Sequence, residues 1–156
     1  MINSTFNMMK AILMVLPLLF QSCKVDLPKD SKTIIKIEKS KCYGDCPTYS
    51  AVLKEKKWIE FYPKANTSLQ KASYTKIKTT EYNDLLRIIE SIPVKKLKNV
   101  YDNKLLMDAP TTYITFYKGG KKKKIKIRSN PPEKLKQLIT VFEKIIGTSK
   151  WKPIPE

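Results

Sequence analysis

Residues 111–128 read Thr-Thr-Tyr-Ile-Thr-Phe-Tyr-Lys-Gly-Gly-Lys-Lys-Lys-Lys-Ile-Lys-Ile-Arg, a pattern typical of a β-hairpin. β-Branched and aromatic side chains dominate residues 111–117 and favour a strand. Gly119 and Gly120 can both take the positive φ that a two-residue turn requires. Residues 121–128 end in an alternation of basic side chains and Ile, as expected of the partner strand. The stretch therefore predicts an antiparallel sheet.

A helix is predicted on each side of this hairpin. After the hairpin, Asn130-Pro131-Pro132-Glu133 offers a cap, prolines in the first turn and an acid at the third position. An apolar stripe at helical spacing follows, formed by Leu135, Leu138, Ile139, Phe142, Ile145 and Ile146. The earlier helix begins near Thr79 or Thr80, either of which can cap it, and ends at Pro93.

Further strands are predicted before the first helix, at residues 33–38, 48–54, 58–62 and 72–78. Residues 94–110 are expected to be irregular, with Tyr101 and the 105–107 segment packing on the core. A tail at 151–155 is expected to lie back across the sheet. The order strands–helix–hairpin–helix predicts an α+β domain in which two helices pack on one face of an antiparallel sheet of about five to six strands.

The N-terminus resembles an export signal of the lipoprotein type. Lys10 precedes an apolar run at residues 11–20, and Gln21-Ser22-Cys23 follows. The run is too short to span a bilayer, which takes roughly 20 apolar residues. We therefore expect residues 1–22 to be a lipoprotein signal peptide, Cys23 to carry the lipid, residues 23–32 to be a polar tether, and residues 33–156 to be a single domain. An ordinary cleaved secretory signal, or a short apolar helix of a cytosolic protein, is the alternative.

From this lipoprotein signal we expect the protein to lie in the bacterial cell envelope, anchored in a membrane and facing the periplasm. The net charge is +17. Lys10 is the sole charged residue before Cys23, so removal of the signal leaves 31 − 1 = 30 cations against 14 anions, or +16. Such a charge attracts polyanions. Outside the cytosol, the expected partners are the membrane, an anionic envelope component or an envelope protein, and nucleic acid is unlikely. Because the lysines are spread along the whole chain, a generally solvated surface is the favoured explanation of the charge.

The sequence contains no histidine. This excludes the Ser-His-Asp and Cys-His catalytic arrangements and the His-containing zinc sites. We expect a non-catalytic protein with no catalytic residues, no cofactor and no metal.

Cys42 and Cys46 are the two cysteines that remain once Cys23 is lipidated. An oxidising compartment favours a local disulfide between them, with Gly44 supplying positive φ and Pro47 directing the chain outward. Two alternatives stay open. One is a thiol–disulfide exchange site, although such sites usually have two residues between the cysteines and a helix N-terminus beside them. The other is a zinc site, which would need ligands beyond these two thiolates.

The returning strand of the hairpin carries a possible anion-binding stripe. Alternation places Lys122, Lys124, Lys126 and Arg128 on one face, about 7 Å apart. They could bind an anionic lipid or polymer, or they could be the solvated face of an amphipathic strand whose lysines prevent edge pairing.

With these segments placed, the chain resembles a family of small bacterial envelope lipoproteins that share a domain of unknown function. The resemblance rests on C-x-G-x-C-P-x-Y at residues 42–49, D-x-P-T at 108–111 and P-x-x-L at 132–135, and spans roughly residues 33–146. It implies a fold and a location but no activity. Its motif positions include Gly44, Asp45, Pro47, Tyr49 and Asp108. If they form one surface, Asp108 lies near the cysteine loop.

Three functions follow as hypotheses. The first is a membrane-anchored envelope lipoprotein domain that binds or scaffolds another component. The second is a thiol redox protein using Cys42 and Cys46. The third is a polyanion-binding module built on residues 121–128.

Overall fold

The fold is taken from a computed structural model that describes residues 31–103, 105–106 and 109–155. The predicted signal peptide and Cys23 lie outside the described residues, as does Asp108. The elements in chain order are strands β1 (Thr33–Lys39), β2 (Thr48–Lys54), β3 (Trp58–Ala65) and β4 (Ser73–Lys76), helix α1 (Thr79–Ser91), a 3-10 turn (Val94–Lys96), strands β5 (Val100–Tyr101), β6 (Thr112–Lys118) and β7 (Lys121–Ile127), helix α2 (Glu133–Thr148), and strand β8 (Lys152–Pro153).

The strands form one sheet in the order β5-β7-β6-β1-β2-β3-β4-β8. All neighbours are antiparallel except β5 and β7, which run parallel. The α+β class is confirmed, but the predicted count of five to six strands is too low. The two additional strands, β5 and β8, have two residues each. A two-residue strand has no alternation of its own and forms only because a neighbouring edge offers it hydrogen bonds.

One face of the sheet and both helices form the hydrophobic core. Alternate residues of each strand point to the same side, so Ile35, Ile37, Ala51 and Leu53 reach the core together. The stripe predicted for α2 supplies Leu135, Leu138, Phe142 and Ile145, and α1 supplies Tyr82 and Leu85. The core therefore lies between the helices and this inner face.

The opposite, outer face of the sheet carries ion pairs. Glu38 contacts the Nζ atoms of Lys36 and Lys124, each at 3.1 Å. Partial burial raises the pKa of Glu38, but hydrogen bonds from these two lysines, and their charges, outweigh it and hold the pKa below its ordinary value. On β3, burial and a 3.0 Å hydrogen bond to Glu60 raise the pKa of Tyr62 to about 12.

The sheet has two ends that matter for function. At the loop end, β1 leads into the cysteine loop, residues 40–47, and residues 109–111 lead into β6. At the turn end lie the β2–β3 turn, residues 55–57, and the β6–β7 turn, Gly119-Gly120. The strands of seven residues between them span about 23 Å.

Two local expectations were wrong. Lys78, not a threonine, precedes the first turn of α1, and its backbone N–H donates to the Glu81 carboxylate at 3.1 Å. Leu105 and Leu106 are exposed instead of packing on the core, whereas Tyr101 does pack against it. The backbone N–H groups of Arg128 and Ser129 donate to the Tyr101 carbonyl, which ties the end of β5 to the end of β7.

Candidate recognition site at the cysteine loop

The Cys42–Cys46 pair closes a small loop at the loop end of the sheet. The two Sγ atoms are at disulfide distance, and the Cα atoms are 5.7 Å apart. The Gly44 N–H donates to the Cys42 Sγ at 3.3 Å. Gly44 does not adopt the positive φ expected of it, and a Cβ there would meet nothing within 4 Å. The loop therefore closes without a left-handed residue at its centre.

The motif residues of this loop divide between solvent and core. Tyr43 projects into solvent with 92% of its side-chain surface exposed, and Asp45 and Pro47 are also exposed. Tyr49 is buried, and its ring lies 4.8 Å from that of Phe61. Burial, with the nearby charge of Glu143, raises the pKa of Tyr49 above its ordinary range. Tyr49 thus anchors the loop to the core, while Tyr43 and Asp45 are free to meet another molecule.

The segment that precedes β6 runs beside the cysteine loop. The Ser40 N–H donates to the Thr111 carbonyl at 2.9 Å, and the Thr111 N–H donates to the Ser40 Oγ at 3.3 Å. Ala109 and Cys42 line the same cleft. The predicted closeness of Asp108 to the loop falls outside the described residues, although the segment containing Ala109 and Thr111 is beside it.

The cleft has a volume of about 350 Å³ and is cationic. Besides Cys42, Tyr43, Ala109 and Thr111, its lining consists of Lys41, Lys126 and Arg128. Lys126 and Arg128 reach this position because β7 ends at the loop end of the sheet, two strands from β1. Carboxylate and phosphate groups are the natural complements of such a lining.

The predicted basic stripe occupies one face of β7 but is not uniform along its length. Lys122 lies beside the β6–β7 turn and is exposed. Lys124 pairs with Glu38, and its Nζ lies 4.4 Å from the centre of the Tyr113 ring. Arg128 contacts Asp102 at 3.4 Å and donates to the Leu106 carbonyl at 2.8 Å. The stripe is thus divided among the turn, an ion-pair network and the loop-end cleft.

Exposed apolar side chains accumulate near the same cleft. Leu106 is held there by the hydrogen bond from Arg128, and Leu105 beside it has 87% of its surface exposed. Val100 is half exposed on β5, opposite Lys126. The sequence predicted that these leucines pack on the core because they are apolar. Apolar character alone does not show whether a short segment lies against the core or on the solvent side of the sheet.

A second and larger groove was not foreseen from the sequence. It measures about 690 Å³ and lies at the β4 edge, between the start of α1 and the end of α2. Trp58 and Tyr74 form its apolar part, with ring centres 5.1 Å apart, but both rings are nearly covered. Lys76, Lys78, Lys150 and Lys152 contribute to its lining. The groove forms from residues far apart in sequence.

Within the described residues, no three Cys, Asp or Glu side chains lie close enough together to hold a metal ion. The helices of this described part are also too short or too polar to cross a membrane.

No curated protein and no solved structure matches the chain. A family model does match, and it covers residues 33–146, from the first residue of β1 into the last turns of α2. The chain therefore belongs to the family described as Domain of unknown function (DUF6438).

Proposed function

We propose that this protein is a membrane-anchored lipoprotein of the bacterial cell envelope whose domain binds or scaffolds another envelope component without catalysing a reaction. The single observation that carries the proposal is the loop end of the sheet, where a disulfide-closed loop presents an exposed Tyr43 beside a cationic cleft. An exposed aromatic ring next to a basic pocket is a common recognition surface, because the ring supplies contact area and the cations supply orientation.

The partner that fits this surface is an acidic one. Lys41 and Lys126 would receive its carboxylate or phosphate groups, while the exposed Tyr43 and Leu106 would contact its apolar part. An anionic envelope component or an acidic segment of an envelope protein meets both requirements. No cofactor enters this proposal.

The proposed location of the protein depends on Cys23. Residues 1–22 would be removed, and lipid attached to Cys23 would anchor the domain through the tether at residues 23–32, facing the periplasm. Two or more acyl chains anchor a protein stably, whereas one binds only marginally. Growth with a clickable palmitate analogue should label the wild-type chain and leave Cys23→Ala unlabelled. Equal labelling of both chains would contradict the anchor.

The recognition surface can be tested in living cells by site-specific crosslinking. A photoreactive phenylalanine analogue at position 43 should yield a discrete crosslinked product, because this side chain projects from the loop end. The matched control carries the same analogue at Lys136, an exposed position near the start of α2. Charge reversal of Lys126 should abolish the product at position 43. Products at both positions, or at neither, would contradict a specific site at the loop end.

The redox alternative has one observation in its favour, since Cys42 lines an open cleft that a thiol reagent could enter. The loop, however, leads into a strand, and neither described helix begins at the loop, where its N-terminus could stabilise a thiolate. Equilibration of the purified protein in glutathione buffers should leave the Cys42–Cys46 pair oxidised throughout the range in which oxidoreductases exchange. Ready exchange would favour the redox function over the structural one.

The polyanion alternative, built on residues 121–128, predicts binding that falls steeply with salt. Lys124 would first have to give up its contact with Glu38. Charge reversal at Lys124 and Lys126 that leaves polyanion binding unchanged would eliminate it.

A further inference from the structure

Exposed lysines collect at the turn end of the sheet, opposite the cysteine loop. The basic rim consists of Lys32, Lys56, Lys76, Lys118 and Lys121, all of which are exposed. They come from four different parts of the sheet: the start of β1, the β2–β3 turn, the end of β4 and the β6–β7 turn. Because neighbouring strands place these positions side by side, the fold gathers lysines that are scattered in the sequence.

Ion pairs among the described residues do not balance the charges of the basic rim. Within the described parts of the chain, none of the five has an ion-pair partner. Two acids, Glu55 and Glu81, lie near the turn end, and the Glu81 carboxylate accepts the Lys78 N–H. The five lysines outnumber these two acids, so the rim presents a net positive field.

One pair within the basic rim is arranged at a cost to stability. Lys118 and Lys121 face each other directly across the two-residue turn. Like charges opposite each other destabilise a hairpin, and a bound anionic surface would remove that repulsion. Gly119 and Gly120 form the turn itself, with φ of 56° and 73°. Because glycine has no side chain, nothing at the turn covers the two lysines on the side that faces solvent.

The chain from the proposed lipid anchor joins the domain at this same end. Ser31 Oγ accepts the Lys56 N–H at 3.2 Å, and the Lys32 carbonyl accepts the Glu55 N–H at 3.0 Å. These bonds fix the start of the domain against the β2–β3 turn. Ser31 is the eighth residue after Cys23, so the tether reaches at most about 29 Å. The basic rim thus lies at the end of the domain where residues 31–32 enter it.

We infer that the basic rim docks on the surface of a bilayer containing anionic phospholipids, which holds the cysteine loop away from the membrane. The orientation rests on the proposed anchor at Cys23, whereas the affinity of the rim for the lipid surface does not. A lysine at an anionic surface contributes about fivefold in affinity. The contact is effective only within about 8 Å at physiological salt, so docking requires the rim itself to touch the headgroups.

The test uses the mature chain with Cys23→Ser, so that vesicle binding reports the protein surface alone. We expect sedimentation with phosphatidylcholine vesicles that contain phosphatidylglycerol, little with pure phosphatidylcholine, and release at high salt. The triple variant Lys56→Glu, Lys118→Glu, Lys121→Glu should bind at least tenfold more weakly. The control Lys64→Glu, Lys98→Glu, Lys136→Glu changes the net charge equally at exposed positions outside the rim and should lose much less affinity. Circular dichroism melts check that both variants fold.

Three results would overturn the inference: equal weakening in the two triple variants, equal binding to both kinds of vesicle, or equally tight binding to soluble alginate, which would mean that the rim recognises any polyanion. Failure of the palmitate label at Cys23 with vesicle binding intact would reject the anchor and leave the lipid-binding rim standing. The reverse pattern would reject the rim and leave the anchor.

Discussion

Among the described residues with positive φ other than glycine, Lys57 is the one that is not an asparagine, a residue that tolerates this conformation. The β2–β3 turn has three residues between the paired Lys54 and Trp58, and its last residue, Lys57, has a φ of 63°. Three-residue hairpin loops place a left-handed residue there, and glycine suits it best. The Lys57 Nζ also donates to the Thr79 Oγ1 at 3.0 Å, an exposed contact that contributes little.

Lys57→Gly should therefore stabilise the protein by about 0.5–1 kcal/mol, because it relieves the left-handed strain of a side chain. Urea unfolding measures the change. Lys56→Gly is the matched control: Lys56 lies in the same turn without positive φ, so glycine there should destabilise the fold by about 0.5 kcal/mol through the entropy of the unfolded chain. A gain from both substitutions would contradict the strain at Lys57.

Glu38 makes the stability of the outer face depend on pH. Its pKa is below the ordinary value of 4.5 in the folded protein, so the folded state favours the ionised carboxylate. The resulting stabilisation is present above about pH 4.5 and is lost as the pH falls through the folded pKa. We expect Glu38→Gln to cost about 0.5–1 kcal/mol at neutral pH and progressively less as the pH falls below about 4.5. Unfolding curves across this pH range measure this, and a cost that stays constant into acid would instead indicate lost packing.

At the scale of elements, the disulfide of the cysteine loop makes a modest contribution to the stability of the fold. In the chain-entropy model, closing so short a loop stabilises the fold by about 2 kcal/mol. Cys42→Ala with Cys46→Ala should lower the free energy of unfolding by that amount and leave the circular dichroism spectrum of the folded state unchanged. Reductant should then affect the wild type and not the variant. A variant that does not fold would show that the loop, rather than the helix–sheet core, organises the domain.

Strand β8 is held by backbone pairing with β4 and by the aromatic side chain that precedes it. Trp151 packs on Phe61, with ring centres 5.3 Å apart, and its indole N–H donates to the Ile146 carbonyl at 3.2 Å. Trp151→Ala should cost about 2–3 kcal/mol, below the value for a fully buried aromatic because the ring is half-buried. Tyr43→Ala, which removes an aromatic that packs on almost nothing, is the control and should change the melting temperature little. Equal losses would contradict the role of Trp151.

The elements that the sequence predicts well are those with their own periodicity. Apolar residues recur at regular spacing in both helices and in strands β2, β6 and β7, so each of these elements can be recognised from its own stretch of sequence. The candidate site is different. The cysteine motif predicts its loop and the disulfide, but the meeting of Lys126 and Arg128 with that loop follows from the registers of β1, β6 and β7, which no local pattern encodes. For the same reason the basic rim, drawn from four parts of the sheet, could not be recognised in the sequence.

On the scale of the whole molecule, charge is the property that most distinguishes this chain. A net charge of +17 destabilises a compact state by self-repulsion, and the lysines of the basic rim concentrate part of it at one end. The surface ion pairs, such as Lys54 with Glu60 at 3.4 Å, contribute less than about 1 kcal/mol each. The two effects have opposite signs with respect to salt, since screening relieves repulsion and weakens pairs.

Because repulsion exceeds pairing in so basic a chain, added sodium chloride should raise the melting temperature of the purified protein, in contrast to a fold that depends on surface ion pairs. Lys121→Glu should reduce this salt dependence, since it turns the opposed Lys118–Lys121 pair into an attractive one, and should itself stabilise the hairpin by about 0.5–1 kcal/mol. Lys136→Glu, which makes the same charge change away from the turn, should stabilise the protein less. Calorimetric melts at low and high salt measure both effects. A melting temperature that falls with salt would mean that the ion pairs of the outer face, rather than the unpaired lysines, dominate the electrostatic energy of the fold.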